Sequence, residues 1–597
     1  MPSWQTLHPA PSDRILKNPD AGYCFMAGLQ PVSDFPDWLI DLSSMVYFRL
    51  AWADVVDAQG RPDFERLDRE YFEGYRRKGL RLAFRIMAAN PHSSKPYVTP
   101  KALLDKGIPT VQHRGVDGQM QVDPVFWDPL YLVEHEKMIR ALGEYLDGKA
   151  WAGPVDLGGM GDWGEMHLSR WTALELGYSG WSPETYVRTV FALMDQMDRY
   201  LPRTTKAFCV APILMPDPEP MFAQIVDRAA RKGWWLRSDG CSEETGPPPY
   251  VWPAIKRWGG QVGLICEPSG GINRSYTGET VPVSRYLDAV LKAGPSVVNL
   301  MGLWDLKSLT ASDRQVLRQA ANKIGYRFRV EELVLPSVVE SSPEGTAYLA
   351  GKIRLVNEGG SSYFGAALPV LSLRSAGVVV ASQALMPQPP LSQIPPGGHQ
   401  DIRFLIPLKA KGVLKLSLTL MDLQKGPLGL ANAEQAADGS LALGSVALRA
   451  GGKTLGHVEW APNPSQGIKV ARTDEGWMLE GKNQGDWSFA GIGKNIPVKA
   501  NCAYEMRVKI RAWPLNGLAD PIHFKLGIND AKGAWITNIG SGKYDFSKTG
   551  IWQELTVSYT PQPGAAFLQP AMEKGRTAAS SLKAELASWT LDEVPLP

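Results

Sequence analysis

Two glutamates stand at or shortly after the ends of short apolar runs, and glycine or proline stands beside each. Glu165 lies in VDLGGMGDWGEMH (155–167), and Glu267 lies in GLICEPSGG (263–271). Glycoside hydrolysis needs two such carboxyls, because one protonates the leaving oxygen while the other attacks the anomeric carbon or activates water. We therefore interpret the two glutamates as a catalytic pair, the alternative being two loop acids in salt bridges.

The first of these stretches also contains a literal G-x-G-x-x-G, formed by Gly159, Gly161 and Gly164. A dinucleotide fingerprint needs a strand, glycines that open a helix, and an acid about 20 residues later at the end of the next strand. Here two further glycines and a proline interrupt the following segment, and Glu184 does not end a strand. The context disfavours nucleotide binding and favours a turn that presents Glu165.

Eight apolar runs indicate strands, and longer amphipathic or polar stretches separate most of them. The runs are 21–29, 45–52, 80–87, 152–160, 206–214, 233–239, 261–267 and 295–304. They predict a (β/α)8 barrel, which takes about 250 residues; a doubly wound sheet, the alternative, rarely uses eight such even units. Glu165 would follow the fourth strand and Glu267 would end the seventh, so both would lie at the C-terminal face that carries barrel active sites. Residues 88–124 are too long for a plain connection and would overhang that face.

The pattern changes near residue 328, where short alternating strands and turn residues replace the helical stretches. We predict three domains: the barrel over 1–327, an immunoglobulin-like β-sandwich over 328–450, and a second β domain over 451–597.

The composition is that of an ordinary globular protein, apart from its 20 tryptophans. A net charge of +2 without a basic patch disfavours nucleic acid as a partner. Tryptophan suits the stacking of sugar rings, although core packing is the alternative for many of them. No apolar run is long enough to span a membrane. The N-terminus carries no signal peptide, so the chain is either cytoplasmic or numbered after a removed signal; the enzyme hypothesis favours a periplasmic or secreted protein.

We expect neither a metal nor an organic cofactor. The eight histidines are scattered without H-E-x-x-H, and the five cysteines form no C-x-x-C. Buried thiols are the expected state of the cysteines, with a bridge between Cys241 and Cys266 as the alternative.

Residues 20–305 resemble the clan A glycoside hydrolases. The segment RLAWADVVDAQGRPDFERLDREYFEGYRRKGLRLAFRI (49–86) resembles their β-galactosidase-like members. The segment FWDPLYLVEHEKMIRALGEYLDGKAWAGPVDLGGMGDWGEMH (126–167) is similar to a bacterial group with a G-x-W-G-E-x-H motif. The resemblance implies a retaining enzyme with Glu165 as acid/base and Glu267 as nucleophile. It further implies that Arg49 orients the nucleophile and that Trp304 forms a sugar platform. An acid/base role would require a raised pKa at Glu165.

One residue departs from the clan pattern. The clan has asparagine immediately before the acid/base, whereas this chain has Gly164. Asp162 and His167 are the candidates to replace it as sugar ligands. The departure also supports the alternative function, a carbohydrate-binding protein on a barrel that has lost catalysis.

Further candidates for substrate binding stand at strand ends. They are Arg85 on the third strand, Arg237 and Asp239 on the sixth, and the subsite platforms Trp163 and Trp235. The charged three could instead form internal ion pairs, and Asp239 could replace one of the glutamates. Trp235 could be packed behind the barrel, because neighbouring strand residues point to opposite sides.

The C-terminal region from EGWMLEGKNQGDWSFAGIGKNIPVKANCAYEMRVKIRA onward resembles jelly-roll carbohydrate-binding modules of families four and nine. The resemblance implies a jelly-roll β-sandwich with Trp487, Trp535 and Trp552 as stacking residues. Together with residues 88–124, the long insert after the third strand, it implies a polysaccharide or oligosaccharide as the substrate.

Overall fold

The computed structural model describes most of the chain. The described residues are 3–116, 118–210, 219–275, 277–302, 306–341, 347–408, 412–450, 469–474, 476–482, 495–574 and 580–596. Trp304 and Trp487 lie outside them.

Eight parallel strands close into a barrel, as the sequence predicts. They are β1 (Gly22–Ala27), β2 (Ser43–Ala51), β3 (Arg81–Met87), β4 (Ala152–Asp156), β5 (Lys206–Cys209), β6 (Trp235–Cys241), β7 (Leu264–Pro268) and β8 (Val297–Asn299). The circle is completed where β8 pairs with β1. All eight strand predictions and the barrel topology are therefore confirmed.

Helices surround the barrel and begin at residues suited to capping. The α-helices are Asp37–Leu42, Phe64–Leu67, Glu73–Arg77, Lys101–Leu104, Pro129–Leu146, Ala173–Tyr178, Pro183–Tyr200, Glu219–Arg231, Trp252–Trp258, Val283–Leu291 and Ala311–Ala320. Asp128 accepts hydrogen bonds from Leu130 N and Tyr131 N at the start of one long helix, and Ser182 accepts one from Thr185 N at the start of the other. Both helices have proline in the first turn, where its missing N–H costs nothing.

The interior of the barrel is divided along its axis. Its N-terminal part is an apolar cluster that is separate from the core between strands and helices. Trp235 fills this part at 4% exposure and packs against Phe364, with ring centroids 5.9 Å apart. Trp234, its neighbour, faces the outer core and donates to Asp198 (2.8 Å). Strand alternation thus places Trp235 inside the barrel.

The region of residues 328–450 forms two sheets around one apolar core. One sheet has the order Trp4–Leu7, Phe328–Pro336, Ala347–Asn357, His399–Leu408. The other has the order Val338–Ser341, Leu441–Ala450, Gly412–Asp422, Ala367–Ser375, Val378–Ala384, with Gly426–Leu428 paired to Gly412–Asp422. The N-terminal strand therefore departs from the predicted domain 1–327. The closed barrel has no free edge, so Trp4–Leu7 finds its backbone partners on Phe328–Pro336.

The C-terminal region is a second β-sandwich with its own core. One sheet has the order Lys469–Thr473, Gly476–Lys482, Ser581–Pro595, Cys502–Pro514, Gln553–Tyr559. The other has the order Ile496–Pro497, Phe567–Lys574, Ile522–Asn529, Trp535–Gly540. The prediction of a barrel followed by β-sandwich domains is confirmed.

The described residues bear on the predicted state of the cysteines and on the expectation about membrane spans. All five cysteines are buried free thiols, so Cys241 and Cys266 form no disulfide. Among the described residues, we find no helix with both the length and the apolar character that crossing a bilayer requires.

Candidate active site

A tight turn follows β4 and carries Glu165. Asp162 N donates to His167 O (2.8 Å), and Glu165 N donates to Asp162 O (2.9 Å), which closes the turn around Glu165. Trp163 (φ +53°) and Met166 (φ +68°) adopt left-handed backbone, a conformation that costs about 1–3 kcal/mol per non-glycine residue. Such strain persists only where the surroundings enforce it.

The glycines of this stretch serve close packing. A Cβ on Gly159 would lie 2.0 Å from His135 Nε2, and one on Gly161 would lie 2.5 Å from His167 O. The turn's amides are also engaged, since Gly164 N donates to Gly161 O (3.1 Å) and Met166 N donates to Met160 O (3.1 Å). The nucleotide hypothesis loses its support, because a phosphate loop needs free N–H groups at a helix start.

Arg49 links the two predicted catalytic glutamates. From β2, its Nη1 donates to Glu267 Oε1 and its Nη2 to Glu165 Oε1, both at 3.0 Å. Its side chain is 12% exposed at the C-terminal mouth of the barrel. The structure therefore brings Glu165, Glu267 and Arg49 together, although they come from three different strands or their following turns.

Glu267 is nearly enclosed at 3% exposure and accepts hydrogen bonds on both oxygens. Besides Arg49, Arg237 Nη1 (2.9 Å) and Asn299 Nδ2 (2.9 Å) donate to its Oε2. Two guanidinium groups and an amide thus fix this carboxylate in one orientation.

Glu165 has a different set of neighbours. Arg85 Nη1 donates to its Oε1 (2.8 Å), and His167 Nε2 lies 3.5 Å from its Oε2. Arg85 Nη2 also lies 3.4 Å from Asp239 Oδ2, so this arginine joins Glu165 to Asp239. Asp239 Oδ1 is buried and has no hydrogen-bond partner among the described residues.

Asp156, the last residue of β4, lies beneath these groups and contacts several of them, and no sequence pattern singled it out. It accepts hydrogen bonds from Tyr47 OH (2.5 Å), Arg85 Nε (3.1 Å) and Arg237 Nη2 (3.4 Å), and its Oδ2 lies 2.7 Å from Arg237 Nε. The strand period of two could have found Tyr47, which lies two residues before Arg49 and shares its inward face. Asn299 was missed in the same way, although it ends β8.

The charged side chains of the candidate site form a buried cluster whose charges nearly cancel. The arginines are Arg49, Arg85 and Arg237, and the acids are Asp156, Glu165, Asp239 and Glu267. One proton on one acid makes the cluster neutral, which is the state that a buried cluster favours.

The pKa values of Asp239 and Glu165 are shifted in opposite directions. Burial, and next the charge of Glu165, raise the pKa of Asp239 to about 6. Burial also acts to raise the pKa of Glu165, but the hydrogen bond from His167 and the charges of Arg85 and Arg49 outweigh it, and the pKa is lowered. The expectation of a raised pKa at Glu165 is therefore wrong, because two arginines face this carboxyl. Of the two carboxyls, Asp239 is therefore the one that binds a proton at the higher pH.

The other residues predicted to bind substrate have three outcomes in the structure. Trp163 and His167 lie at the site, their rings 5.5 Å apart, and Trp163 O accepts from Arg49 and Arg85. Arg85 and Arg237 are 0% and 1% exposed and form internal ion pairs, so they meet a substrate only through the acids they hold. The structure does not bring Trp235 to the site, because it occupies the opposite end of the barrel.

One group of potential metal ligands lies among the described residues. Atoms of Glu165, Cys209 and Asp239 lie within 4.8 Å of one another. Burial raises the pKa of the Cys209 thiol, and a metal ligand must be the thiolate. Arg85 already contacts both carboxyls, so the donor set suits arginine pairing better than a cation.

The comparisons with known proteins assign this chain to no family. No family model and no curated protein matches it. Several solved structures match the chain over different lengths at low identity.

Three of these solved structures differ widely in how much of the chain they cover. The isomalto-dextranase of Arthrobacter globiformis T6, complexed with panose, is 11% identical over 99% of this chain and 100% of that chain, with a TM-score of 0.29. A β-galactosidase from Marinomonas ef1 is 11% identical over 51% of this chain and 59% of that one, with a TM-score of 0.35. The xylan-binding CBM22-1 domain of Paenibacillus barcinonensis Xyn10C is 17% identical over 24% of this chain and 90% of that one, with a TM-score of 0.18.

Proposed function

We propose that this protein is a retaining glycoside hydrolase. The observation that carries the proposal is the bridge formed by Arg49, which holds Glu165 and Glu267 at the C-terminal mouth of a (β/α)8 barrel. Hydrolysis of a glycosidic bond requires one carboxyl that delivers a proton and one that attacks as an anion. Glu165, with Asp239 beside it, and Glu267 are the groups available for these two roles.

Glu267 is the proposed nucleophile. Arg49, Arg237 and Asn299 all donate to it, so its charge and orientation are set before substrate arrives. A carboxylate oxygen attacks the anomeric carbon, the bond to the leaving oxygen breaks, and that oxygen takes a proton. Water then releases the sugar from the glycosyl-enzyme.

The Glu165–Asp239 pair is the proposed acid/base. Below about pH 6 the pair binds one proton on Asp239, and Glu165 lies beside it as the acceptor. The proton can reach the leaving oxygen from Asp239 directly or through Glu165, and the resulting anion then activates water in the second step.

Retention is the part of the proposal that rests on the resemblance to clan A. The Arg49 bridge gives the contacts of the two carboxyls with one guanidinium, and their separation distinguishes the two mechanisms. Retaining enzymes hold their carboxyls about 5–5.5 Å apart, whereas inverting enzymes leave about 6.5–9.5 Å for water.

The proposed substrate is a polysaccharide or oligosaccharide. Trp163 is the platform that the geometry favours, because its ring lies at the mouth, 5.6 Å from that of His92 in the insert. In the C-terminal sandwich, Trp535 is 65% exposed and can stack on a sugar, whereas the guanidinium of Arg511 covers Trp552 at 4.4 Å. Trp304 stays a predicted platform, and export to the periplasm or the medium stays a prediction.

The test is hydrolysis of a panel of aryl glycosides and polysaccharides by the wild type and by Glu267→Gln, Glu165→Gln and Asp239→Asn. Glu134→Gln is the matched control, because Glu134 is also buried and ion-paired but lies on an outer helix. We expect turnover in the wild type and the control, loss in Glu267→Gln, and azide rescue of Glu267→Gly. Turnover that survives Glu267→Gln would contradict the assignment of the nucleophile.

A carbohydrate-binding protein without catalysis is the second candidate. The observation that favours it is the lowered pKa of Glu165, which leaves the strand-four glutamate without its proton. It predicts retention on glycan-containing gels with no turnover of any substrate in the panel.

A further inference from the structure

Arg170 donates to three side chains on two segments beside the candidate site. Its Nε donates to Asp162 Oδ1 (2.7 Å), its Nη1 to Gln121 Oε1 (2.8 Å) and its Nη2 to Asp123 Oδ2 (2.8 Å). The Arg170 side chain is 12% exposed, and those of Asp123 and Asp162 are 1% exposed. These contacts are therefore shielded from water and stronger than a surface pair.

Through Asp162, Arg170 acts on the turn that carries Glu165. The backbone of Asp162 closes that turn at both ends, to His167 and to Glu165. A second hydrogen bond, from Arg170 N to Asp162 Oδ2 (3.2 Å), fixes the aspartate further. The strained backbone of Trp163 therefore depends on a neighbour that Arg170 holds.

Through Gln121, Arg170 acts on the insert. Gln121 belongs to the strand Met120–Pro124, which pairs with Thr110–Arg114 in a two-stranded hairpin. Gln121 Nε2 donates to Ser93 O (2.8 Å), and the neighbouring His92 ring packs beside Trp163. The same arginine thus contacts the turn below Trp163 and the hairpin that supports the loop above it.

We propose that Arg170 is a positioning residue, which clamps the hairpin to the strand-four turn and so holds Glu165 and Trp163 in their working positions. This inference rests on the proposed function for its catalytic consequence. Lysine cannot replace the planar group, because a single ammonium cannot match three acceptors on two segments with the geometry of a guanidinium.

The kinetic test compares Arg170→Ala and Arg170→Lys with the wild type. We expect kcat to fall on the order of 100-fold in Arg170→Ala, because small displacements of catalytic groups cost about this much. KM should change less, and Arg170→Lys should recover only part of the loss. Arg199→Ala is the control, because Arg199 makes a surface pair with Glu136 and should keep the wild-type rate. A kcat for Arg170→Ala within twofold of the wild type would overturn the proposal.

Hydrogen exchange tests the clamp without reference to activity. In Arg170→Ala, we expect faster exchange both in the hairpin strands and in residues 161–167, with no such change in Arg199→Ala. Gln121→Ala keeps the contact to Asp162 and should loosen the hairpin alone; it also serves if Arg170→Ala fails to fold. Faster exchange of the hairpin in Arg170→Ala, with an unchanged turn, would overturn the clamp. If the wild type hydrolyses no glycan, the proposed function fails, while the exchange result still decides the clamp.

Discussion

The two ends of the barrel interior are built from the same strands but have opposite chemistry. At the N-terminal end, Met45, Trp235 and their neighbours form an apolar plug. At the C-terminal end, Arg49 on the same β2, and Arg237 on the same β6, join a network of arginines and acids. Both ends are buried, with Trp235 at 4% exposure and Arg237 at 1%. Burial alone therefore does not distinguish core from site; the pairing of buried charges does.

The difference has an energetic basis. An apolar side chain gains free energy when it leaves water, so the plug stabilises the barrel. Buried charges lose hydration and must recover it from partners, so the network is costly to disturb and is held in one arrangement. We expect substitutions at the plug to change stability and substitutions in the network to change chemistry as well.

Asp156→Asn should give the largest effect, because it removes the charge that Arg85 and Arg237 share. We expect the free energy of unfolding to fall by about 4–5 kcal/mol, as when one partner of a buried ion pair is removed. Residual folded protein should be nearly inactive, since both proposed catalytic glutamates depend on these arginines. Urea unfolding monitored by fluorescence measures the first effect. A loss below about 1 kcal/mol would contradict the role of Asp156 as the shared partner of the two arginines.

Trp235→Ala should lower the free energy of unfolding by about 3–4 kcal/mol, the cost of a large core truncation. The rate constant kcat should stay within a few-fold of the wild type, because the plug lies away from the acids. Thermal unfolding and steady-state kinetics below the melting temperature measure the two effects. A large loss of kcat in a fully folded variant would break the comparison between the ends.

The pH dependence should report the proton on Asp239. Its pKa is raised to about 6, so the pair holds the proton below that pH and loses it above. The acid form is needed for bond cleavage, and kcat/KM should therefore fall as pH rises through about 6. Asp239→Asn should lack this limb and lose on the order of 100-fold in kcat/KM. If the limb near pH 6 persists in the variant, another group carries the proton.

Asn299→Ala should give the smallest effect. It removes one of the hydrogen bonds to Glu267 Oε2 and leaves the bond from Arg237. A hydrogen bond to a charged group contributes about 1.5–3 kcal/mol, so we expect roughly a tenfold fall in kcat/KM. Ser296→Ala, a control on the same segment outside the cluster of acids, should keep its rate.

Much of the fold could be predicted from residue patterns. The eight apolar runs correspond to β1–β8, because strand formation depends on local composition and spacing. The pairing of the N-terminal strand could not be predicted, since Trp4–Leu7 meets Phe328–Pro336 only after the chain has folded. Whether Trp235 lies at the site could not be decided from the sequence, because a position on the inward face does not say which end of the barrel the side chain fills.

The sequence by itself determined which strands form the barrel and that Glu165 and Glu267 stand at its C-terminal mouth, since both follow from local pattern and parallel topology. Only the tertiary structure decided which carboxyl has the raised pKa. The pKa of Glu165 depends on Arg49 and Arg85, which come from β2 and β3, far from Glu165 along the chain. Electrostatic interactions depend on distances in space, and those distances exist only once the barrel has closed.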